Sequence, residues 1–213
     1  MKKLINEVEI RVQNFFEGDA TGHDWFHTDR VRKNAVHIAR EEGADEFVCE
    51  MAALLHDVAD DKFHQSEEEG FKLVEEWLLE WGVESSQREM IIQSIETVSY
   101  KGGNNKPPER LEGEVVQDAD RIDAIGAIGV ARTFMFAGAY GDSMYVPDLE
   151  VRDNMTKEEY RNKRSSAIHH FYEKLLKLKG GMKTKTGQKI AEKRHQYLED
   201  FLTQFLEEWE GRR

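Results

Sequence analysis

Residues 51–62 of the chain read Met51-Ala52-Ala53-Leu54-Leu55-His56-Asp57-Val58-Ala59-Asp60-Asp61-Lys62. The run that opens this segment is wholly apolar, which predicts the buried part of a helix because no solvated face can be drawn through it. An imidazole and a carboxylate follow at its end, in or near the core. Burying a polar group without a partner costs on the order of 2–7 kcal/mol, so these two side chains need partners from elsewhere in the chain.

The composition is that of a charge-rich globular protein. The length of 213 residues fits one domain with a substantial core. A formal net charge of -12 argues against a nucleic-acid polymer or an anionic membrane as partner, because proteins that bind those are basic. An anionic small molecule stays compatible with this charge if cations are concentrated locally.

Compartment signals favour the cytoplasm. No apolar run approaches the roughly 20 residues that a bilayer-spanning helix needs, and no apolar segment typical of a signal peptide follows the first lysines. The single cysteine, Cys49, cannot form an intramolecular disulfide and is interpreted as a small buried apolar residue.

Helical periodicity begins at the start of the chain. Apolar spacing predicts a first helix over 4–16, and Asp24 is the expected N-cap of a second helix that ends near Gly43. A third helix is expected from Asp45 to about Ala59, so it contains the apolar run and the polar residues behind it.

Helical signals continue to the end of the chain, and no stretch shows the two-residue alternation typical of strands. Capping boxes at 66–69, 86–89 and 156–159 each predict the start of a helix. A glycine-containing helix is expected over 115–136 and a last helix from about 186. Glycine-rich loops are expected at 102–108 and 138–147. The prediction is an all-α single domain over 1–213, with a helical core at about 20–130 and C-terminal helices at 156–210 packed on it.

Polar residues on three separate helices belong together chemically. His27 lies four residues before Val31 on the inward stripe of the second helix, His56 and Asp57 end the buried helix, and Asp120 lies in the segment 117–123. Each alone is ordinary, since a single inward histidine is more often a satisfied core residue. Two neutral imidazoles with two carboxylates, however, would balance a divalent cation and satisfy the buried polar pair.

Three acids lie close together where the second aspartate ligand is expected. Asp123 lies one helical turn beyond Asp120 on a neighbouring face, whereas Asp118 is rotated well away. As an isolated cluster these acids are interpreted equally well as a solvated face. Asp120 is preferred, with Asp118 and Asp123 kept as alternatives.

The order H…HD…D resembles the HD superfamily of metal-dependent phosphohydrolases, an all-helical family. Within it, the chain is most similar to the small bacterial branch of YpgQ-like nucleoside triphosphate pyrophosphohydrolases. The resemblance covers about residues 20–206 and rests on Gly22-His23-Asp24-Trp25-Phe26-His27, Leu54-Leu55-His56-Asp57, Ala119-Asp120-Arg121-Ile122-Asp123-Ala124, Thr133-Phe134 and His170-Phe171-Tyr172-Glu173-Lys174-Leu175-Leu176.

That resemblance implies a metal site and a fold, a single HD-domain helical bundle. Its metal ligands would be His27, His56, Asp57 and Asp120, and the pair Arg121-Ile122 matches the basic-then-apolar pair that follows the family's last ligand. The mixed nitrogen and oxygen ligands suit one divalent ion, Mn²⁺ first, with Mg²⁺, Co²⁺, Ni²⁺ or Fe²⁺ as alternatives.

Further residues are assigned roles in catalysis and substrate binding. Asp60, three residues after Asp57, is expected to orient or deprotonate the attacking water, and His23 to contact phosphate or protonate a leaving group. Each predicted substrate contact, taken alone, is more often an ordinary surface residue. These contacts are Lys62, His64, Arg121, Asp123, Arg132 and Lys174.

The expected activity is hydrolysis of a nucleoside or deoxynucleoside triphosphate to monophosphate and pyrophosphate. Rivals within the family are a 5′-nucleotidase and a guanosine tetraphosphate hydrolase; outside it, a di-iron oxygenase and a non-catalytic nucleotide sensor. Thr97 and Val98 stand where two-metal relatives carry further histidines, which argues for one metal. The segment 138–141 lacks the GYP motif of the cyclic dinucleotide branch. The oligomeric state stays open, and a homodimer is one alternative.

Overall fold

The computed structural model describes residues 2–18, 24–60, 62–99, 106–152 and 165–212. Throughout this part of the chain the regular secondary structure is helical and no strand occurs. The predicted all-α class is therefore confirmed. The chain divides into two compact units, Met1–Asp120 and Arg121–Arg213, and the predicted organisation as one domain over 1–213 stays a prediction.

The first unit is built around one helix whose C-terminal half is fully buried. Its described helices are α1 (Lys2–Phe15), α2 (Trp25–Glu42), α3 (Glu46–Leu55), α4 (Glu67–Glu80), α5 (Ser85–Glu96) and α6 (Leu111–Asp123), within which the unit ends. Helix α3 is buried from Met51 to Leu55 and packs against α1, α2 and α5. The apolar run in the sequence thus forms the centre of this core, as its lack of a polar face predicted.

Local capping chemistry sets the ends of α2 and the start of α3. The Asp24 carboxylate accepts a hydrogen bond from the backbone N–H of His27 at 2.8 Å. Gly43 ends α2 with φ at 76°, a left-handed conformation that glycine adopts without steric cost. The Asp45 carboxylate caps α3 by accepting from the N–H of Val48 at 3.1 Å. The predicted cap at Asp24 and the predicted end near Gly43 are confirmed, and α3 starts next to Asp45 as expected.

The two later capping boxes had different outcomes. Ser66 caps α4, and its hydroxyl accepts from the N–H of Glu69 at 3.2 Å. The box predicted to start at Ser86 is wrong, because α5 begins at Ser85 with Glu84 at its N-cap and no side-chain hydrogen bond there. The S-x-x-E pattern, with Ser86 as N-cap, places the start of the helix two residues too late.

Helix α3 ends earlier than its sequence predicts. It was expected to continue to about Ala59 but stops at Leu55. Beyond it the N–H of Val58 donates to the carbonyl of Leu55, and that of Asp60 to the carbonyl of Asp57, both at 3.1 Å. These bonds span three residues instead of four, so the chain turns tightly there, and the His-Asp pair lies at a corner of the backbone.

The second unit contains three long helical segments in its described part. They are α7 (Gly126–Tyr140), α8 over 167–178, made of Ala167–His170, a π-helical Phe171–Leu175 and Leu176–Leu178, and α9 (Lys185–Trp209). Aromatic side chains from all three helices are in contact and form one cluster, in which Phe171 is fully buried: Phe134, Phe171, Phe201 and Phe205.

The single helix expected over 115–136 is broken, so that prediction is wrong. Helix α6 ends at Asp123 and α7 begins at Gly126, whose φ of 76° is incompatible with a continuing helix. Arg194 of α9 donates to the carbonyl of Ile122 at 2.6 Å and packs its aliphatic stem against Gly126. A residue distant in sequence therefore stabilises the break.

Other boundaries moved by a few residues. Helix α7 continues to Tyr140 and ends at Gly141 with φ at 69°, so the loop expected from residue 138 starts later. Helix α9 begins at Lys185 behind an N-cap at Thr184, close to the predicted start. The expected cap at 156–159 and most of the loop at 102–108 lie outside the described residues.

Among the described residues, no single helix is both long and apolar enough to cross a membrane, although the bent pair Leu111–Asp123 and Gly126–Tyr140 meets that criterion jointly.

Candidate metal centre

Four predicted ligands lie together in the first unit. His27 is near the start of α2, His56 and Asp57 follow the end of α3, and Asp120 is on α6. The Nε2 atom of His27 lies 3.4 Å from Asp57 Oδ2 and 3.5 Å from Asp120 Oδ1. The Nε2 atom of His56 lies 3.4 Å from Asp57 Oδ1 and 3.8 Å from Asp120 Oδ1. We call these four residues the H-HD-D cluster.

These distances fit ligands of one divalent ion. Two ligand atoms that each bind a metal at about 2.1 Å lie at most about 4.2 Å apart, and all four measured separations are shorter. His27, His56 and Asp57 also offer ligand atoms that lie within 4.8 Å of one another, and all three residues are buried. Two neutral imidazoles and two carboxylates supply the charge that balances a divalent cation.

The orientation of His56 indicates a ligand rather than a core histidine. Its Nδ1 is hydrogen-bonded to the carbonyl of Ala53 at 2.8 Å, so Nδ1 carries the proton and Nε2 keeps its lone pair. That Nε2 is buried and forms no hydrogen bond with any residue the structure describes. A buried acceptor costs free energy unless it is satisfied, and a metal ion would satisfy it.

The geometry favours Asp120 among the three neighbouring aspartates. Its side chain is 28% exposed and reaches both imidazoles. Asp123 is 1% exposed, and its carboxylate accepts a hydrogen bond from Arg132 Nη1 at 2.7 Å. Asp118 is fully buried. The assignment of the ligands themselves stays a prediction.

The predicted catalytic acid Asp60 lies in the turn directly after the His-Asp pair. Its Oδ1 accepts from the backbone N–H of Lys62 at 2.9 Å, and its Oδ2 lies 3.5 Å from Lys62 Nζ. A carboxylate and an ammonium group are thus paired a few residues beyond the cluster. His23, the other predicted catalytic residue, lies outside the described residues.

His64 is also in the first unit, but it is bound to the backbone. Its Nε2 lies 2.6 Å from the carbonyl oxygen of Val58, and its ring stacks on Phe15 with centroids 6.1 Å apart. The predicted contact of His64 with substrate stays a prediction.

The remaining predicted substrate contacts belong to the second unit. Arg121 Nη1 donates to the carbonyl of Gly181 at 3.0 Å, and Arg132 forms the ion pair with Asp123. Lys174 lies on the π-helical turn of α8. Burial, together with the charge of Lys174, lowers the pKa of His170 to about 3. Arg121 and Arg132 thus each bind a group of their own unit, and Lys174 acts electrostatically on His170.

Two residues near the cluster were missed in the sequence. Gln117 is fully buried on α6 and donates its amide N–H to the carbonyl of Thr97 at 2.6 Å, which joins the middle of α6 to the C-terminal end of α5. Gly70 lies inside α4, against Ala59 and His64. The available signals were a glutamine among apolar neighbours and a glycine inside a helix.

Comparisons with known proteins agree with this arrangement. The HD domain family profile matches residues 25–125. YpgQ of Bacillus subtilis is 38% identical over 215 aligned residues, which cover 99% of this chain and 97% of YpgQ. Its crystal structure in complex with ADP superimposes with a TM-score of 0.77 at 37% identity, covering 96% of each chain.

Two further crystal structures are similar along nearly the whole chain. An HD-superfamily hydrolase of Bacillus thuringiensis is 42% identical with a TM-score of 0.79, covering 98% of both chains. A protein of Lactobacillus plantarum is 34% identical with a TM-score of 0.86, covering 99% of both chains.

Proposed function

We propose a nucleotide substrate for this chain, which belongs to the HD domain family and is a metal-dependent phosphohydrolase of the HD superfamily. The proposed reaction splits a nucleoside or deoxynucleoside triphosphate into a monophosphate and pyrophosphate. The observation that carries the proposal is the H-HD-D cluster, with both imidazole Nε2 atoms 3.4–3.8 Å from carboxylate oxygens. The ADP complex of YpgQ supports a nucleotide as the ligand class.

In this proposal His27, His56, Asp57 and Asp120 hold one divalent ion, with Mn²⁺ preferred because the ligands mix imidazole and carboxylate. Such an ion supplies Lewis-acid activation of water and of phosphate. The Ala53 carbonyl keeps His56 in the tautomer that presents Nε2 as a lone-pair donor.

The turn after the cluster supplies the remaining chemistry. Asp60 accepts the proton of the attacking water, because its carboxylate is partly buried and held by the N–H of Lys62. The Lys62 ammonium, which is within 3.5 Å of Asp60, compensates phosphate charge when substrate binds. Both residues follow Asp57 closely, so the proposed proton acceptor and the proposed phosphate-binding cation lie next to a proposed metal ligand in the chain.

The test is a nucleotide panel with Mn²⁺ and with Mg²⁺, in which pyrophosphate and orthophosphate are measured separately. We expect release of pyrophosphate and a monophosphate in equal amounts, with faster turnover in Mn²⁺. Orthophosphate as the only phosphate product from triphosphates would overturn the proposal and favour a 5′-nucleotidase. Two irons per chain with oxygen uptake would instead indicate an oxygenase.

A matched pair of histidine variants ties the activity to the cluster. His56→Ala should lower kcat/KM by at least about a hundredfold, since a metal ligand is lost. His37→Ala is the control, because His37 is an exposed residue of α2. Equal activity of the two variants would contradict the assignment.

A further inference from the structure

We propose that His64 is a positioning residue that closes the turn carrying Asp60 and Lys62. The role differs from a direct phosphate contact, because His64 would act through the backbone of the turn. Its catalytic consequence rests on the proposed function, whereas its effect on the turn can be measured without any substrate.

The hydrogen bond between His64 and Val58 is the first observation. Nε2 of His64 lies 2.6 Å from the carbonyl oxygen of Val58. A carbonyl only accepts, so Nε2 must carry the hydrogen. Val58 directly follows the predicted ligand Asp57, and the bond therefore joins Val58 to a residue six positions later in the chain.

The confinement of the imidazole is the second observation. Phe15 of α1 stacks on the His64 ring with an interplanar angle of 26°. Gly70 of α4 leaves the space for that ring, since a Cβ at position 70 would lie 2.8 Å from His64 Cδ2 and 2.6 Å from the Ala59 carbonyl oxygen. A glycine inside a helix costs about 1 kcal/mol relative to alanine, and this close approach explains its presence.

Between Val58 and His64 in the chain, Asp60 is fixed from both sides. Its N–H donates to the carbonyl of Asp57 and its own carbonyl accepts from the N–H of Phe63, both at 3.1 Å. Its carboxylate accepts from the N–H of Lys62. The His64–Val58 bond adds to these hydrogen bonds around Asp60. Its loss would make the backbone that positions the Asp60 carboxylate more mobile. A displacement of about 1 Å at a catalytic group costs about a hundredfold in rate.

Two variants at position 64 separate positioning from loss of packing. His64→Leu removes the hydrogen bond but still fills the space against Phe15. We expect kcat to fall about 10- to 100-fold with KM within about twofold of wild type. His64→Gln places an amide N–H near the position of Nε2 and should restore most of kcat. A direct phosphate contact would instead raise KM in His64→Leu, which would overturn the proposal.

Amide hydrogen exchange tests the turn without substrate. We expect exchange over residues 58–64 to be at least about tenfold faster in His64→Leu than in wild type, and near wild type in His64→Gln. Gly70→Ala perturbs the same contact from α4 and should also accelerate exchange there; it replaces His64→Leu if that variant fails to fold. His37→Gln, on the exposed face of α2, is the control.

Failure of the two proposals would look different. A wild-type protein that turns over no nucleotide sinks the proposed reaction, and the exchange rates alone then decide the role of His64. Unchanged exchange in both His64→Leu and Gly70→Ala, or equal damage by His64→Leu and His64→Gln, overturns the positioning role whatever the activity.

Discussion

The two ring nitrogens of His56 have different surroundings, and these fix the orientation of the side chain. Nδ1 is held by the carbonyl of Ala53, one turn earlier in α3, and Nε2 is left beside the carboxylates of Asp57 and Asp120. The sequence predicted that this imidazole needs a partner, because it follows a wholly apolar run. Which nitrogen faces the cluster depends on the backbone turn after Leu55, which the sequence did not predict.

A pair of aspartate variants tests the ligand assignment. Asp120→Asn should weaken Mn²⁺ binding at least about tenfold, because a charged ligand becomes neutral. Asp123→Asn should leave Mn²⁺ affinity within about threefold, and should instead lower the free energy of unfolding by about 2 kcal/mol through its pair with Arg132. Isothermal titration with Mn²⁺ and urea unfolding measure the two effects. The reverse pattern would make Asp123 the ligand.

At the scale of helices, most starts follow from local chemistry and several ends do not. Asp24 and Ser66 cap α2 and α4 as their sequence positions predict, and α3 starts at the expected place behind a cap at Asp45. The break between α6 and α7 depends on Arg194, which is 72 residues from the carbonyl it binds. The helical spacing of apolar residues continues through the break, so the only local sign of the break in the sequence is a glycine.

Two glycines of α7 should respond oppositely to alanine. Gly126→Ala should lower the free energy of unfolding by about 1–3 kcal/mol, because φ is 76° and the new Cβ would lie 3.0 Å from Arg194 Cγ. Gly138→Ala should raise it by about 0.5–1 kcal/mol, since nothing lies within 4 Å of the new Cβ and alanine favours a helix. Urea unfolding of both variants measures the difference, and equal effects would contradict the strained turn.

For the whole molecule, stability should be linked to the metal. The H-HD-D cluster joins α2, the turn after α3, and α6 within the first unit. Ligands that bind the folded state alone stabilise it by mass action, by about 2.7 kcal/mol at a concentration of 100 Kd. A metal ion at the cluster would therefore stabilise the packing of these elements.

Thermal unfolding with and without Mn²⁺ checks this linkage. We expect Mn²⁺ to raise Tm in wild type and in His37→Ala, and a chelator to reverse the rise. His56→Ala should show no Mn²⁺-dependent rise, because a ligand is missing. A rise of the same size in His56→Ala would place the binding of Mn²⁺ elsewhere.

Acid sensitivity should come in part from His170. Burial, with the charges of Lys174 and Arg152, lowers its pKa in the folded state to about 3 from 6.5. As pH falls below 6.5 the unfolded chain binds a proton that the folded chain does not, so stability is full above 6.5 and decreases between 6.5 and 3.

The matched variants for this effect are His170→Gln and His37→Gln. Urea unfolding at about pH 7.5 and about pH 4.5 should show a smaller acid loss of stability in His170→Gln than in wild type. His37→Gln should lose as much as wild type. An unchanged loss in His170→Gln would mean that the histidine is protonated in the folded protein.

Local sequence was enough to predict the all-α class, the buried face of α3, the cap at Asp24, and the order of the candidate ligands. These features depend on periodicity and on hydrogen bonds between residues a few positions apart, which a single chain displays directly. Packing within the fold sets where α3 turns, which aspartate of α6 reaches the imidazoles, and how Arg194 binds a backbone carbonyl 72 residues away. Those contacts join residues from different helices, and their geometry is set by packing rather than by local sequence.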